Sequence, residues 1–142
     1  MSTFITYPDP RLSEAATGQP LHDALRAIGQ RLLAAGTEAK AYGLAAAHIG
    51  EVAPIALVSI SEPDKRDYRL LYNPTVVSSA PEQEIGTEGS VSLPGIEVDV
   101  LRARSVEIAF DDESGTRQTL SLSGFAARVA QHEIDQMNGI FF

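Results

Sequence analysis

The sequence predicts a fold that mixes helices with strands, with helical patterns near both ends of the chain and strand patterns between them. Two observations support this prediction. Apolar residues recur every three to four positions in two segments, and short apolar runs bounded by turn-forming residues fill the middle. The chain has 142 residues, enough for one domain with a buried core and too few for two, so we expect a single domain over residues 1–142.

The first helix is predicted from about Pro20, because proline fits the first helical turn, where its missing N–H costs nothing. Its apolar face repeats at steps of four and three residues through Leu21, Leu25, Ile28 and Leu32. Residues 1–19 precede this helix and are predicted to form an extended arm. His22 is predicted to be solvent-exposed on the polar side of the helix.

The middle of the chain is predicted to form strands. Residues 54–60 (PIALVSI) are a short apolar run, and residues 68–74 (YRLLYNP) read as its partner strand after a polar turn. Residues 106–110 alternate apolar and polar side chains, and residues 118–122 (QTLSL) return after the turn DDESGT. This second pair of segments predicts a β-hairpin.

The last element is predicted to be a helix between an N-cap at Ser123 and a glycine, Gly139, after its C-terminal end. One face of this helix is formed by Phe125, Val129, His132 and Gln136, at spacings of four, three and four residues. His132 and Gln136 are therefore expected to point inward together.

The composition excludes several classes of function. Lys and Arg total 11 against 19 Asp and Glu, so the net charge is −8 and no basic patch favours nucleic acid. The chain contains no cysteine, which excludes disulfides and thiolate ligands. The first residues lack the pattern of a secretory signal, and no apolar run reaches the roughly 20 residues of a membrane helix. We therefore expect a cytoplasmic protein without nucleic-acid or membrane partners.

The segment from His132 to Gln136 (HEIDQ) contains half of a zinc-hydrolase pattern. In H-E-x-x-H, two histidines one helical turn apart hold the metal and the glutamate moves protons. Here Glu133 follows His132, but Gln136 occupies the position of the second histidine. Taken alone, this segment fits an ordinary helix with one buried histidine better than a metal site.

Two further segments change this interpretation. Residues 41–48 (AYGLAAAH) resemble the first motif of the peptide deformylases, glycine-apolar-glycine-apolar-Ala-Ala-x-Gln, and residues 88–92 (EGSVS) resemble their second, Glu-Gly-Cys-Leu-Ser. Residues 132–136 then resemble the third, His-Glu-x-Asp-His, in the order that the family has. Residues 7–12 and 70–74 also look like family segments. The resemblance covers nearly the whole chain.

The resemblance implies an α+β fold of mixed and antiparallel sheets around a central helix that carries the third motif. It also implies hydrolysis of the formyl group of N-formylmethionyl peptides by an iron, zinc or similar ion. In the family this ion is held by the cysteine of the second motif and both histidines of the third. The glutamate of the third motif moves the proton, while the glutamine of the first motif and a backbone N–H bind the oxyanion.

Transferred to this chain, the resemblance gives Glu133 the acid/base role and His132 the place of the first histidine ligand. The N–H of Val91 matches the backbone oxyanion donor, and His48 stands where the glutamine belongs. Ser90 replaces the cysteine and Gln136 the second histidine. The first motif comprises Gly43, Leu44, Ala45, Ala46 and His48, and the second Glu88, Gly89, Ser90, Val91 and Ser92. Glu88 is expected to fix the loop of Ser90, whereas Glu82 and Glu84 are expected to be solvated.

These substitutions remove two metal ligands. A serine hydroxyl resists ionisation, and a neutral carboxamide is a poor substitute for imidazole on zinc or iron. We therefore expect a deformylase-like protein that is inactive or very weak as a deformylase and acts as a binding or regulatory homologue. No cofactor is expected; if one is bound, it would be a divalent ion such as iron, zinc or nickel. The expected ligand is a formylated or acylated peptide or small molecule.

Three arrangements of the remaining site are open at this point. In the first, Ser90, His132 and Gln136 hydrogen-bond to one another and fill the vacated site. In the second, His48, His132 and Glu133 form a rebuilt metal site, although His48 is more simply an uncharged donor in place of glutamine. In the third, Ser90 and His132 form a metal-free nucleophile–base pair, with nothing obvious to orient the far side of His132.

Overall fold

The computed structural model describes residues 4–142 and has the α+β fold that the resemblance implies. It contains two α-helices, α1 (Asp23–Ala39) and α2 (Gly124–Met137). The strands are β1 (Gly43–Ala45), β2 (Ile55–Ser59), β3 (Tyr68–Ser79), β4 (Gln83–Ser90), β5 (Leu93–Ala103), β6 (Ser105–Asp111) and β7 (Arg117–Ser123). Two short 3-10 helices, Pro10–Ser13 and Ala46–Ile49, lie before α1 and after β1.

The strands form two antiparallel sheets, one of five strands in the order β1-β2-β3-β6-β7 and one of two strands, β4-β5. Strand β2 is buried along its whole length because α1 and α2 cover opposite faces of the larger sheet. Ile55 and Leu57 belong to the core cluster that contains α1, whereas Val58 belongs to the cluster that contains α2. Successive residues of a strand face opposite sides, so burial on both faces requires the continuous apolar run of this segment.

Most of the predicted elements are confirmed. The run 54–60 contains β2, the segment 68–74 begins β3, and the second hairpin is β6–β7. The predicted arm contains the 3-10 helix Pro10–Ser13, and its first three residues lie outside the described ones. The β4–β5 hairpin was not predicted. Within residues 4–142, no helix is long and apolar enough to cross a membrane.

The first helix starts later than predicted, at Asp23. His22 is its N-cap, and the His22 Nδ1 atom accepts a hydrogen bond from the N–H of Leu25 at 3.3 Å. The prediction of a merely solvated His22 is therefore incomplete, because its ring satisfies one of the free N–H groups of the first turn. Near the other end of the chain, Ser123 is the N-cap residue of α2, as predicted, but its side chain makes no capping hydrogen bond.

Candidate functional site

A cavity of about 490 Å³ lies where β1, the end of β4 and helix α2 meet. Its wall contains eight of the residues that the sequence singled out: Gly43, His48, Glu88, Gly89, Ser90, Val91, His132 and Glu133. The three motifs, which are far apart in the sequence, therefore meet at one place. The other predicted residues, Leu44, Ala45, Ala46, Ser92 and Gln136, are not part of the wall and are completely buried.

Gly43 allows helix α2 to approach β1 closely. A Cβ atom at this position would lie 2.6 Å from Cγ1 of Val129 and 2.9 Å from Cγ of Glu133. Both distances are shorter than any real Cβ contact, so a larger residue would push the helix or these side chains away. The glycine of the first motif thus sets the position of Glu133 relative to β1.

Glu88 is the centre of a buried cluster of charges. Arg102 donates two hydrogen bonds to its carboxylate, at 3.0 and 2.9 Å, and Arg128 donates one at 2.7 Å. Nδ1 of His132 lies 2.8 Å from the Oε1 atom of Glu88. Arg102 also pairs with Asp135, two residues before the end of α2. Burial alone would raise the pKa of Glu88, but the bonds from His132 and the arginines lower it to about 2.

The contact with Glu88 orients the ring of His132. Burial opposes a charge on this imidazole, but the hydrogen bond to Glu88 and the nearby Glu133 carboxyl outweigh it, so the pKa of His132 is raised. The expectation that nothing orients the far side of His132 is therefore wrong. Glu88 was expected to fix the loop of Ser90, but its carboxylate binds His132, Arg102 and Arg128 instead.

The expected hydrogen bonding among Ser90, His132 and Gln136 is not found. The Nε2 atom of Gln136 donates to the carbonyl oxygen of Leu12 at 2.8 Å, and the Ser90 hydroxyl accepts from the N–H of Ser92 at 3.2 Å. Within residues 4–142, no hydrogen bond joins any two of the three side chains. Each has a partner elsewhere because α2 turns Gln136 toward the arm, whereas Glu88 holds His132.

His48 is a neutral donor. Its Nδ1 atom accepts a hydrogen bond from the N–H of Ala45 at 3.0 Å, and burial lowers the pKa of His48 to about 3. A neutral imidazole that accepts at Nδ1 carries its proton on Nε2. This Nε2 atom is buried and has no partner among the described residues. Its N–H is therefore available to the carbonyl oxygen of a ligand.

Glu133 lies beside His48, with 3.8 Å between Glu133 Oε1 and His48 Nδ1. Burial raises the pKa of Glu133 to about 7, although the positive charge of the His132 ring opposes the shift. Within the described chain, its Oε1 atom has no hydrogen-bond partner. A carboxyl group with a pKa near 7 can exchange protons with a ligand at neutral pH.

These residues do not fit the metal ion of a peptide deformylase. Ser90 supplies a hydroxyl, Gln136 offers only a neutral carboxamide oxygen, and the free ring nitrogen of His48 carries a proton instead of a lone pair. Among residues 4–142, no three His, Asp or Glu side chains are arranged to hold a metal ion. This geometry also argues against a rebuilt site from His48, His132 and Glu133.

Comparison with known proteins identifies the family. The model of the polypeptide deformylase family matches residues 1–142. This chain belongs to the peptide deformylase family. A crystal structure of peptide deformylase from Thermotoga maritima superimposes with a TM-score of 0.89 at 27% identity, over 99% of this chain and 94% of that one.

Relatives named peptide deformylase-like are also similar. The protein from Bradyrhizobium diazoefficiens is 36% identical over 98% of this chain and 81% of its own length. The protein from Rickettsia conorii is 34% identical over 84% of this chain and 66% of its own length. This chain thus spans just under two thirds of the second relative.

Several residues at the site were not predicted from the sequence. Arg102 and Arg128 hold Glu88, and Tyr42 and Phe125 form an edge-to-face pair in the cavity wall with ring centroids 4.8 Å apart. One signal was available for Arg128, which precedes His132 by four residues and therefore shares its face of α2. No local signal marked Arg102, because its strand pairs with β4 only in the folded protein.

Proposed function

We propose that this protein binds an N-acylated peptide or a small formyl amide in the cavity and lacks the metal-dependent hydrolysis of its family. The orientation of Gln136 carries this proposal. Its side chain stands at the family's second histidine position, is completely buried, and donates to the carbonyl oxygen of Leu12. Gln136 lies outside the cavity wall, and its only possible metal donor is the neutral carboxamide oxygen Oε1, which is a poor substitute for imidazole on zinc or iron.

The remaining polar groups support binding of an acyl carbonyl group. The Nε2–H of His48 is a buried donor without a partner among the described residues, and Val91 lines the same wall. Two donors that meet at one oxygen stabilise a carbonyl or oxyanion, and we assign this role to the Nε2–H of His48 and the N–H of Val91. The carboxyl group of Glu133, with its raised pKa, can donate or accept a proton beside this oxygen.

The edge of the larger sheet supports an extended peptide as ligand. Among the strands of residues 4–142, β1 pairs only with β2, and Gly43 of β1 forms part of the cavity wall. An extended backbone can add to such an edge by main-chain hydrogen bonds, while the cavity receives a side chain. This mode of binding does not require a metal ion.

The first test is metal analysis of protein purified without oxygen, combined with calorimetric titration of N-formyl-Met-Ala and its unformylated counterpart. We expect well under one equivalent of iron, zinc or nickel, and binding of the formylated peptide without hydrolysis. About one bound metal ion per chain, or release of formate, would refute the proposal. The matched controls are the double variant Ser90→Cys with Gln136→His and the triple variant that adds His48→Gln. Both should restore metal binding if the motifs are correctly aligned.

A second candidate function is metal-free hydrolysis by Ser90 and His132, and the contact of His132 with Glu88 favours it. A serine, a histidine and a carboxylate that orients the histidine are the components of a nucleophile–base system. No hydrogen bond joins Ser90 to His132 in the described chain, so a ligand would have to bring them together.

The Ser90→Ala variant separates the two candidates. Hydrolysis of an activated formyl or acetyl ester by metal-free protein, lost in Ser90→Ala and kept in Ser92→Ala, would support the second function. Equal rates for the native protein and Ser90→Ala would exclude a serine nucleophile at this position.

A further inference from the structure

Arg128 brings a guanidinium group into the wall of the cavity. Its side chain is 13% exposed and donates to Glu88, to the carbonyl of Val100 and to the carbonyl of Glu84, at 2.7, 2.9 and 2.7 Å. A guanidinium has five N–H donors. Three of the five are used by these contacts, so two have no partner among residues 4–142.

Gly86 makes room for this guanidinium. A Cβ atom on Gly86 would lie 2.8 Å from both Cζ and Nε of Arg128 and 3.1 Å from Nη2. The charged group therefore rests directly against the backbone of β4. Gly86 thus leaves room for the Arg128 guanidinium at this position, and that part of the cavity wall is cationic.

The fixed charges around this part of the cavity favour an anion. Lys40, one of only two lysines in the chain, also lines the cavity, and no carboxylate of the described residues pairs with it. Arg102 lies behind the wall. The three positive charges of Lys40, Arg102 and Arg128 therefore exceed the two negative charges of Glu88 and Asp135, with which the arginines pair. The other carboxyl group of the wall, Glu133, lies beside His48.

We propose that Arg128 and Lys40 select a ligand with an acidic side chain, such as an N-acylated peptide whose first residue is glutamate or aspartate. This inference rests on the proposed function, since it names the ligand of the same cavity. The carboxylate of the ligand pairs with the unused N–H donors of Arg128 and with the ammonium group of Lys40. An apolar side chain such as that of methionine would have to lie against a guanidinium without satisfying it, which disfavours its binding.

Three amides test the proposal: N-formyl-glutamate α-amide, N-formyl-glutamine α-amide and N-formyl-methionine α-amide. All three lack the α-carboxylate, and the first two differ only in the charge of the side chain. We expect the glutamate amide to bind about tenfold more tightly than the glutamine amide, because one charge-assisted hydrogen bond has about this effect. The preference should weaken as the salt concentration rises.

Three variants locate the selectivity. Arg128→Gln should abolish the preference for glutamate, and Lys40→Gln should reduce it, whereas Lys65→Gln removes the same charge from the exposed turn after β2 and should leave it unchanged. The exposed Lys40 supports no core contact, so its variant stays informative if Arg128→Gln fails to fold. Equal or tighter binding of the methionine amide would overturn this proposal alone. Binding of none of the three amides would overturn the proposed function together with it.

Discussion

Replacement of Glu88 by glutamine tests whether one buried carboxylate holds the site together. Glu88 accepts hydrogen bonds from Arg102 and Arg128 and contacts His132, and its side chain is 5% exposed. Its pKa falls from 4.5 to about 2 in the folded protein. A shift of this size corresponds to about 3 kcal/mol of folding free energy, at 1.36 kcal/mol for each pKa unit.

The sign of this contribution follows from the direction of the shift. A carboxylate with a depressed pKa in the folded state stabilises the protein above the unfolded pKa. The stabilisation is lost as the pH falls from 4.5 towards 2. At pH 7, Glu88→Gln should therefore reduce the free energy of unfolding by about 3 kcal/mol or more, because two arginines lose their buried counter-charge.

Urea unfolding of the native protein and the variant at pH 7, 5 and 3 measures this difference. The difference should be largest at pH 7 and should shrink at pH 3, which lies between the two pKa values, where the native carboxylate loses its advantage. The exposed Glu82→Gln is the matched control and should change little at any pH. A difference between the native protein and Glu88→Gln that is the same at pH 7 and pH 3 would refute an ionised, paired Glu88.

Three more predictions concern the core and the site. Gly29→Ala should destabilise the protein by about 1–3 kcal/mol in urea unfolding, since its Cβ atom would lie 2.1 Å from the Tyr72 hydroxyl oxygen; Ala34→Ser on the exposed side of α1 is the control. Gln136→Leu should cost roughly 1–3 kcal/mol by leaving the carbonyl of Leu12 unpaired, and an unchanged urea midpoint would contradict that hydrogen bond. The ring of His48 should stay neutral between pH 7 and pH 4, because its pKa is lowered to about 3; ¹⁵N NMR should show the proton on Nε2, and titration near pH 6 would contradict the burial of His48.

The strand and helix periodicity was readable from the sequence because each signal is local. The apolar run of β2 and the apolar stripe of α2 mark the faces that these segments bury. Each pattern can be read from residues that are close together in the sequence. The start of α1 was predicted three residues too early, because proline is compatible with a first turn without requiring one. In the β4–β5 hairpin, residues 96–100 (IEVDV) alternate, but β4 (QEIGTEGS) does not, and apolar residues such as Ile85 and Leu101 are exposed.

The three motifs by themselves identified eight residues of the cavity wall and the family ligand positions that are replaced, because residue identity and order are properties of the chain. The tertiary structure decided how those residues are used. Hydrogen-bond partners far apart in the chain turn Gln136 toward Leu12, hold His132 on Glu88 and place Arg128 against Gly86. Side-chain orientation depends on distant donors and acceptors that compete for each buried polar atom, and only the folded chain brings those competitors together.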